Sequence, residues 1–145
     1  MEPAIEDWDD AYANAAHIPG AEAIFEAWPR DSAAFRARAA GRLDLPYGDH
    51  PRERFDLFAP AGPPAGLVVY FHGGYWKAFD KSASSWLAEG PVARGWAVAI
   101  PSYPLCPEAR IGEIARAAGR AVARAAEAVA GPIVLTGHSA GAHLA

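Results

Sequence analysis

The sequence predicts an α/β fold in which helices flank a mostly parallel sheet. Residues 67–71, 96–100 and 133–135 are short, continuously apolar segments, as expected for strands covered on both faces. Helical patterns at residues 80–93 and 111–130 separate these segments. Strands and helices that alternate in this order form right-handed crossovers and a parallel sheet. Such sheets place their functional sites at the carboxyl ends of the strands.

The composition is that of a globular protein with one core. The chain has 145 residues, of which 52% are hydrophobic and 21% charged. Its net charge of −4 comes without a basic patch, which argues against nucleic-acid or membrane partners. Cys106, the single cysteine, cannot form an internal disulfide, and the acidic N-terminus lacks a signal-peptide pattern. We therefore expect a cytoplasmic protein that acts on a small molecule.

The first 42 residues are predicted to form a helical arm, separate from a domain at residues 43–145. Apolar residues recur at spacings of three and four, which gives one apolar helical face. This face contains Ile5, Trp8, Tyr12 and Ala16. The arm either packs on the domain as a cap or is loosely attached to it.

Two further short helices are predicted within the arm, after the break at Pro19-Gly20. The first covers residues 21–28 and is expected to end before Pro29, because a proline disfavours helical geometry at the preceding residue. The second is expected to begin with Asp31 as its N-cap.

The domain is predicted to begin with a β-hairpin. The segments RLDLPYG and RERFDLFAP flank the turn residues GDHP. In the second segment Phe55 and Leu57 alternate with Arg54 and Asp56, so one face of this strand is expected to be solvated.

Two helices are predicted between the parallel strands. The first covers residues 80–93, with Asp80 as its N-cap. The second covers residues 111–130 and has one apolar stripe. This stripe contains Ile111, Ile114, Ala115, Ala118, Val122, Ala125, Ala126 and Val129.

The motif GHSAG at residues 137–141 is the first candidate for chemistry. It follows an apolar strand and opens a helix, and in such a turn the serine is held in a strained conformation that projects it from the sheet. Side chains in place of Gly137 and Gly141 would clash. The sequence therefore predicts Ser139 as a nucleophile, with the N–H of Ala140 as a donor to the oxyanion.

The motif HGGYW at residues 72–76 is the second candidate. Glycines after a buried strand let the backbone approach a ligand and point N–H groups at it. We expect the N–H groups of Gly74 and Tyr75, with Gly73, to join Ala140 in an oxyanion hole. The alternative for either motif is an ordinary turn without catalytic function.

These motifs, with SYPLCPE at residues 102–108, resemble the α/β-hydrolase fold. Within that fold they resemble the kynurenine formamidases (arylformamidases) and the neighbouring hormone-sensitive-lipase-like esterases. The resemblance implies a serine hydrolase that acts on a formamide or short acyl group, such as an N-formylkynurenine-type aryl formamide. It implies no metal or organic cofactor. Trp76 and His138 are candidates for the wall that holds the substrate.

Two alternatives remain at this stage. One is a short-chain carboxylesterase, which the same motifs would serve. The other is an inactive hydrolase fragment that acts as a binding module.

The resemblance also implies that the catalytic acid and histidine follow the serine in the chain. Only six residues follow Ser139, and His143 lies four positions on in the same helix. We therefore expect an α/β-hydrolase truncated after the nucleophile elbow, without its acid and base. The strand at residues 133–135 would then be an exposed edge, covered in a homodimer or by a complementing C-terminal segment.

Overall fold

The computed structural model describes residues 5–145, so that residues 1–4 of the predicted arm lie outside the described residues. The strands are β1 Gly41–Pro46, β2 Arg54–Phe58, β3 Leu67–Phe71, β4 Ala97–Pro101 and β5 Ile133–Gly137. The α-helices within residues 5–145 are α1 Trp8–Ala11, α2 Ala21–Arg38, α3 Glu89–Ala93, α4 Ile111–Ala126 and α5 Ala140–Leu144. Short 3₁₀ turns occur at Asn14–His17, Lys81–Ala83 and Ser85–Ala88.

The strands form one mixed sheet with the order β1-β2-β4-β3-β5. Strand β3 is parallel to both β4 and β5, which confirms the predicted parallel pairing of these strands. Strand β2 is antiparallel to β1, as predicted for a hairpin, and also to β4. The expectation of a mostly parallel sheet therefore holds for β4, β3 and β5, whereas the hairpin adds an antiparallel half.

Helices cover both faces of the sheet. On one face Leu67, Val69 and Phe71 of β3 pack in the same buried cluster as Ile114 and Ala118 of α4. On the other face a second cluster joins α2 and α3 to the sheet, and its buried members are Phe35, Phe58, Ala88, Val98 and Ile100. Burial on both faces explains the continuous hydrophobicity of β3 and β4.

The stripe predicted for α4 is rotated in the structure. Ile111 is exposed, whereas Ala117 and Ala121, which the stripe omitted, are buried. The side of α4 that faces the sheet is lined with alanine, and small side chains let a helix approach a sheet closely. Because alanine is common on both sides of α4, the sequence pattern did not fix the buried side.

Helix α2 is one continuous helix rather than the two predicted. It passes through Pro29 and Asp31, and neither residue marks an end. The two halves of α2 both have tertiary contacts: Trp28 packs against Phe79, and Phe35 packs against Phe58. Packing on both sides of Pro29 offsets the hydrogen bond that a proline removes from a helix.

The predicted solvated face of β2 is buried. Asp56 is only 1% exposed, because the 3₁₀ turn at Lys81–Ala83 covers it. The Asp56 carboxylate accepts from the Lys81 ammonium at 2.7 Å and from the Asp44 N–H at 2.9 Å. Lys81 also pairs with the Asp44 carboxylate at 2.7 Å. Burial opposes the charge on Lys81, but these two carboxylates prevail and raise its pKa.

The segment predicted as one helix at residues 80–93 is two 3₁₀ turns followed by α3. Asp80 does act as the N-cap, because its carboxylate accepts from the Ser82 N–H at 2.6 Å. The Ser102 hydroxyl accepts from the Lys81 N–H at 3.0 Å, which draws this segment toward β4. These contacts to other parts of the chain divide the helix.

Strand β5 lies at the edge of the sheet and pairs, within residues 5–145, with β3 alone. Its residues Ile133, Val134 and Leu135 are 41–45% exposed. The register aligns Phe71 of β3 with Gly137 of β5, so that the two Gly-rich motifs emerge side by side. Among the described residues, no helix is long and apolar enough to span a membrane.

The burial of Asp56 predicts a cost for removing its partner. In a Lys81→Met variant the carboxylate would remain in the core without a counter-charge. We expect the free energy of unfolding to fall by about 3 kcal/mol, measured by urea denaturation of the 145-residue chain.

Arg38→Met is the matched control, since it breaks an ion pair with Glu89 in which both side chains are more than half exposed. We expect that control to cost less than about 1 kcal/mol. Equal, small losses in the two variants would contradict the assignment of Lys81 as the structural counter-charge.

Candidate active site

Ser139 lies in a sharp turn between β5 and α5. Its backbone has φ 52° and ψ −119°, a conformation that non-glycine residues rarely adopt. A Cβ on Gly137 would lie 2.4 Å from the carbonyl of Gly141, and a Cβ on Gly141 would lie 2.0 Å from the Phe71 oxygen. The backbones therefore pass each other at distances that only glycine permits, as the motif GHSAG predicts.

The loop that follows β3 contacts this turn directly. A Cβ on Gly73 would lie 2.9 Å from His138 Nδ1 and 3.3 Å from the Ser139 Cβ. The His138 N–H donates to the Phe71 carbonyl at 3.2 Å, which joins the end of β3 to the turn. The structure thus brings the two sequence motifs together at the carboxyl ends of neighbouring parallel strands.

The loop itself has an unusual backbone. Gly74 has φ 107°, and Tyr75 and Trp76 follow with φ 52° and 57°. The N–H groups of Lys77 and Ala78 both donate to the Gly74 carbonyl. Strain of this kind is common in functional loops that neighbouring contacts hold in place.

Four backbone N–H groups were predicted as oxyanion donors, those of Gly73, Gly74, Tyr75 and Ala140. Within residues 5–145, no hydrogen bond uses the N–H of Gly74, Tyr75 or Ala140 as its donor. Ala140 is the first residue of α5 and is buried. Gly74 and Tyr75 also line the cavity beside Ser139, whereas Ala140 does not.

Contacts made by His72 hold the loop that follows β3 in place. Its ring stacks on Tyr103 with 4.2 Å between centroids, and the Tyr103 hydroxyl donates to the His72 carbonyl at 2.6 Å. His72 Nδ1–H donates to the Gly73 carbonyl at 2.8 Å. Burial lowers the pKa of His72 to about 4, although the bond to Gly73 opposes this effect. His72 is therefore neutral at pH 7 and acts as a fixed support.

Arg52 links the supporting residues to the loop. Its guanidinium donates to the Tyr103 carbonyl at 2.8 Å and to the Phe79 carbonyl at 2.6 Å. Sequence analysis did not identify Arg52 or Tyr103. The sequence pattern does not indicate a role for Arg52, because it resembles any charged residue at the start of a strand. Tyr103 lies in SYPLCPE, a stretch that the resemblance named without giving it a role.

A cavity of about 770 Å³ opens above Ser139. Gly73, Gly74, Tyr75 and His138 line it, and the role of His138 in binding substrate stays a prediction. The N-terminal arm forms another wall, from Tyr12 to Trp28. The Tyr75 hydroxyl donates to the Tyr12 carbonyl at 3.0 Å, which joins the arm to the loop.

Trp76 was predicted in the wall of the substrate site, and the structure places it elsewhere. Its ring packs edge-on against His143, with 5.2 Å between centroids, and it does not line the cavity. Its neighbour Tyr75, which also has a positive φ, does line the cavity. The aromatic residues that do line the cavity include Phe25, Trp28, Phe79 and Trp86, which sequence analysis missed.

The His143 ring packs on Trp76, and the His143 N–H donates to the Ser139 carbonyl at 3.2 Å. Within residues 5–145, the ring of neither His143 nor His138 forms a hydrogen bond with the Ser139 hydroxyl. Among residues 5–145, no group of three histidine, cysteine, aspartate or glutamate side chains could hold a metal ion.

The chain is similar in sequence to known hydrolases. The chain is 35% identical over 116 residues to the kynurenine formamidase of Danio rerio. The aligned region covers 76% of this chain and 40% of that protein. It is 34% identical over 107 residues to a probable isoprenylcysteine α-carbonyl methylesterase of Oryza sativa subsp. japonica. That aligned region covers 68% of this chain and 26% of the methylesterase. No protein-family model matches the chain.

A solved structure of a proposed thioesterase from Silicibacter sp. superposes with a TM-score of 0.91. The two sequences are 54% identical, and the superposed region covers 93% of this chain and 52% of the thioesterase chain. The α/β-hydrolase fold and the likeness to kynurenine formamidases and esterases are thus confirmed. The chain spans about 40% of the length of the first curated relatives it matches.

The buried, neutral His72 predicts a pH dependence of stability. Its pKa is about 4 in the fold and about 6.5 in an unfolded chain. Below pH 6.5 the unfolded chain therefore binds a proton that the fold does not. The contribution is present above pH 6.5 and is lost as the pH falls toward 4, by about 3 kcal/mol in total.

A His72→Gln variant keeps a donor without a titrating ring. Urea denaturation of both chains between pH 7 and pH 4.5 isolates the histidine, because the carboxylates titrate in both. We expect the stability of the unaltered chain to fall more steeply. Parallel curves would contradict a buried neutral His72.

Proposed function

Because the chain has the α/β-hydrolase fold and resembles kynurenine formamidases and esterases, we propose that it carries the nucleophile and oxyanion hole of a serine hydrolase. One observation above all supports this proposal: Ser139 has a strained backbone within contact distance of the loop at Gly73. A turn of this kind costs stability and has no structural need for a serine. Its use is to present a hydroxyl where backbone N–H groups converge.

The proposed reaction begins with attack of the Ser139 Oγ on a formyl or short acyl carbonyl. The carbonyl oxygen becomes an oxyanion, which accepts from the N–H groups of Gly74, Tyr75 and Ala140, with Gly73 alongside. The leaving amine or alcohol takes a proton, and water then releases the acyl group from Ser139. We assign the histidine that moves these protons, and the carboxylate that orients it, to residues outside this chain.

We propose an aryl formamide of the N-formylkynurenine type as the substrate. The likeness to the kynurenine formamidase of Danio rerio supports this choice. The cavity beside Ser139 has the volume of a small-molecule site and several aromatic walls. No metal or cofactor takes part in the proposed reaction, and its proposed location is the cytoplasm, where the free thiol of Cys106 would stay reduced.

A short-chain carboxylesterase is the second candidate. The methylesterase relative from Oryza sativa favours it, since the same nucleophile and oxyanion hole serve an ester as well as a formamide. The two candidates differ in the leaving group and in the fit of the acyl group.

The nucleophile assignment predicts that Ser139→Ala abolishes reaction with a fluorophosphonate probe and lowers kcat/KM by at least about 10³-fold. The measurement uses the full-length protein, with intact mass to locate the adduct. Ser82→Ala is the control, because Ser82 lies in a 3₁₀ turn and does not line the cavity. Labelling that persists in Ser139→Ala would refute the assignment.

Substrate choice predicts a larger kcat/KM for N-formylkynurenine than for phenyl acetate with the same polypeptide. Differences in kcat/KM report differential binding of the two transition states. A reversed order would favour the carboxylesterase, with Ser139 still as nucleophile.

A further inference from the structure

We propose that Phe25, Trp28 and Phe79, here called the aromatic platform, bind a flat, uncharged aromatic group of the substrate beside Ser139. This inference rests on the proposed function for the role of Ser139. It adds a subsite, its residues and the chemical class of group that it accepts. Binding to the platform requires no turnover and can be measured separately from catalysis.

The three rings form one continuous aromatic surface. Trp28 contacts Phe25 with 5.0 Å between centroids and an interplanar angle of 78°, and contacts Phe79 at 5.8 Å and 63°. Phe25 and Phe79 are 6.2 Å apart. Edge-to-face contacts of this kind fix the rings relative to one another.

The platform lies next to the nucleophile. The Trp28 ring is 6.2 Å from the ring of His138, at an interplanar angle of 77°. His138 directly precedes Ser139, and both line the same cavity as the platform. A planar group on the platform would therefore place an attached carbonyl close to the serine.

Contacts elsewhere hold the platform in position before a ligand binds. The second half of α2 is anchored: Ser32 and Phe35 are buried, and Arg36 donates to the Ser82 carbonyl at 2.5 Å and to the Ser85 hydroxyl at 2.8 Å. The first half of the same helix extends over the cavity with Phe25 and Trp28. On the opposite side Arg52 holds the Phe79 carbonyl. Such preorganisation lowers the entropic cost of binding.

The partial exposure of the platform also points to a ligand. Phe25 and Phe79 line the cavity and are 38% and 43% exposed. A neutral aromatic group could cover them and remove apolar surface from water.

The electrostatics of the cavity exclude a charged group at this position. None of the described residues that line it is an aspartate, glutamate, lysine or arginine. A charged group would lose its hydration there without gaining a counter-charge. An aromatic ring instead gains contact with ring faces and edges, worth about 0.5–1.5 kcal/mol beyond the area that it buries.

The test compares two probes of similar size on the Ser139→Ala form of the 145-residue chain. Acetanilide carries a flat ring, and N-cyclohexylacetamide carries a puckered, saturated one. NMR titration gives both dissociation constants without turnover. We expect acetanilide to bind about two- to twelve-fold more tightly, which is the aromatic contribution converted to a ratio.

Variants assign this preference to the platform. Trp28→Leu and, independently, Phe25→Leu keep an apolar side chain and should reduce the ratio toward one, whereas Trp28→Phe should retain it. Trp8→Ala is the matched control, since Trp8 is an arm aromatic that is 57% exposed and does not line the cavity. Amide spectra of each variant verify that it is folded.

Equal affinity for the two probes would overturn the proposal, as would a folded chain that binds neither. A preference that survives in both leucine variants would also overturn it. Failure of Ser139 to react with the fluorophosphonate, together with a preserved ring preference, would refute the proposed function and leave the aromatic platform standing.

Discussion

The close passage of backbone at the carboxyl ends of β3 and β5 is the constraint on which the site depends. Gly141 packs so near the Phe71 carbonyl that a single methyl group would overlap it. That contact sets where α5 begins, and hence the strained geometry of Ser139. It also brings the loop at Gly73 against His138. The turn at Ser139 and the loop at Gly73 are thus held together by main-chain packing.

Around this centre lies a support of polar contacts that takes no part in the proposed chemistry. Tyr103 holds His72, and His72 holds the Gly73 carbonyl. Arg52 joins Tyr103 to Phe79 across two loops. Each contact satisfies a backbone carbonyl that would otherwise be costly to bury, and together they fix the loop that follows β3 relative to the sheet.

Sequence analysis succeeded where local chemistry determines the structure. The glycines on either side of Ser139 predict a tight turn, and continuous apolar segments predict buried strands, because both patterns depend on residues close in sequence. It failed where a distant partner decides. Asp56 was predicted to be solvated, but it forms a buried ion pair with Lys81. Helix α2 was predicted to end before Pro29, but it continues through this residue because both of its halves pack on other parts of the chain. Trp76, which the resemblance suggested for the substrate wall, packs against His143 and does not line the cavity. The aromatic platform combines α2 with a loop some 50 residues later, so no local pattern predicts it.

The pairing of β3 with β5 has a consequence for the order in which the chain folds. Leu67 pairs with Ile133, a separation of 133 − 67 = 66 residues, and the β4 crossover lies between them. Contacts between residues so far apart in sequence form late, because the chain pays the entropy of closing a long loop first. Ser139 can adopt its strained geometry only after that closure. The hairpin of β1 and β2 and helix α4 can form from local contacts well before. Because β5 leads directly into the turn at Ser139, the strained geometry of this residue depends on a long-range strand pairing, and a chain in which β5 is unpaired lacks that geometry.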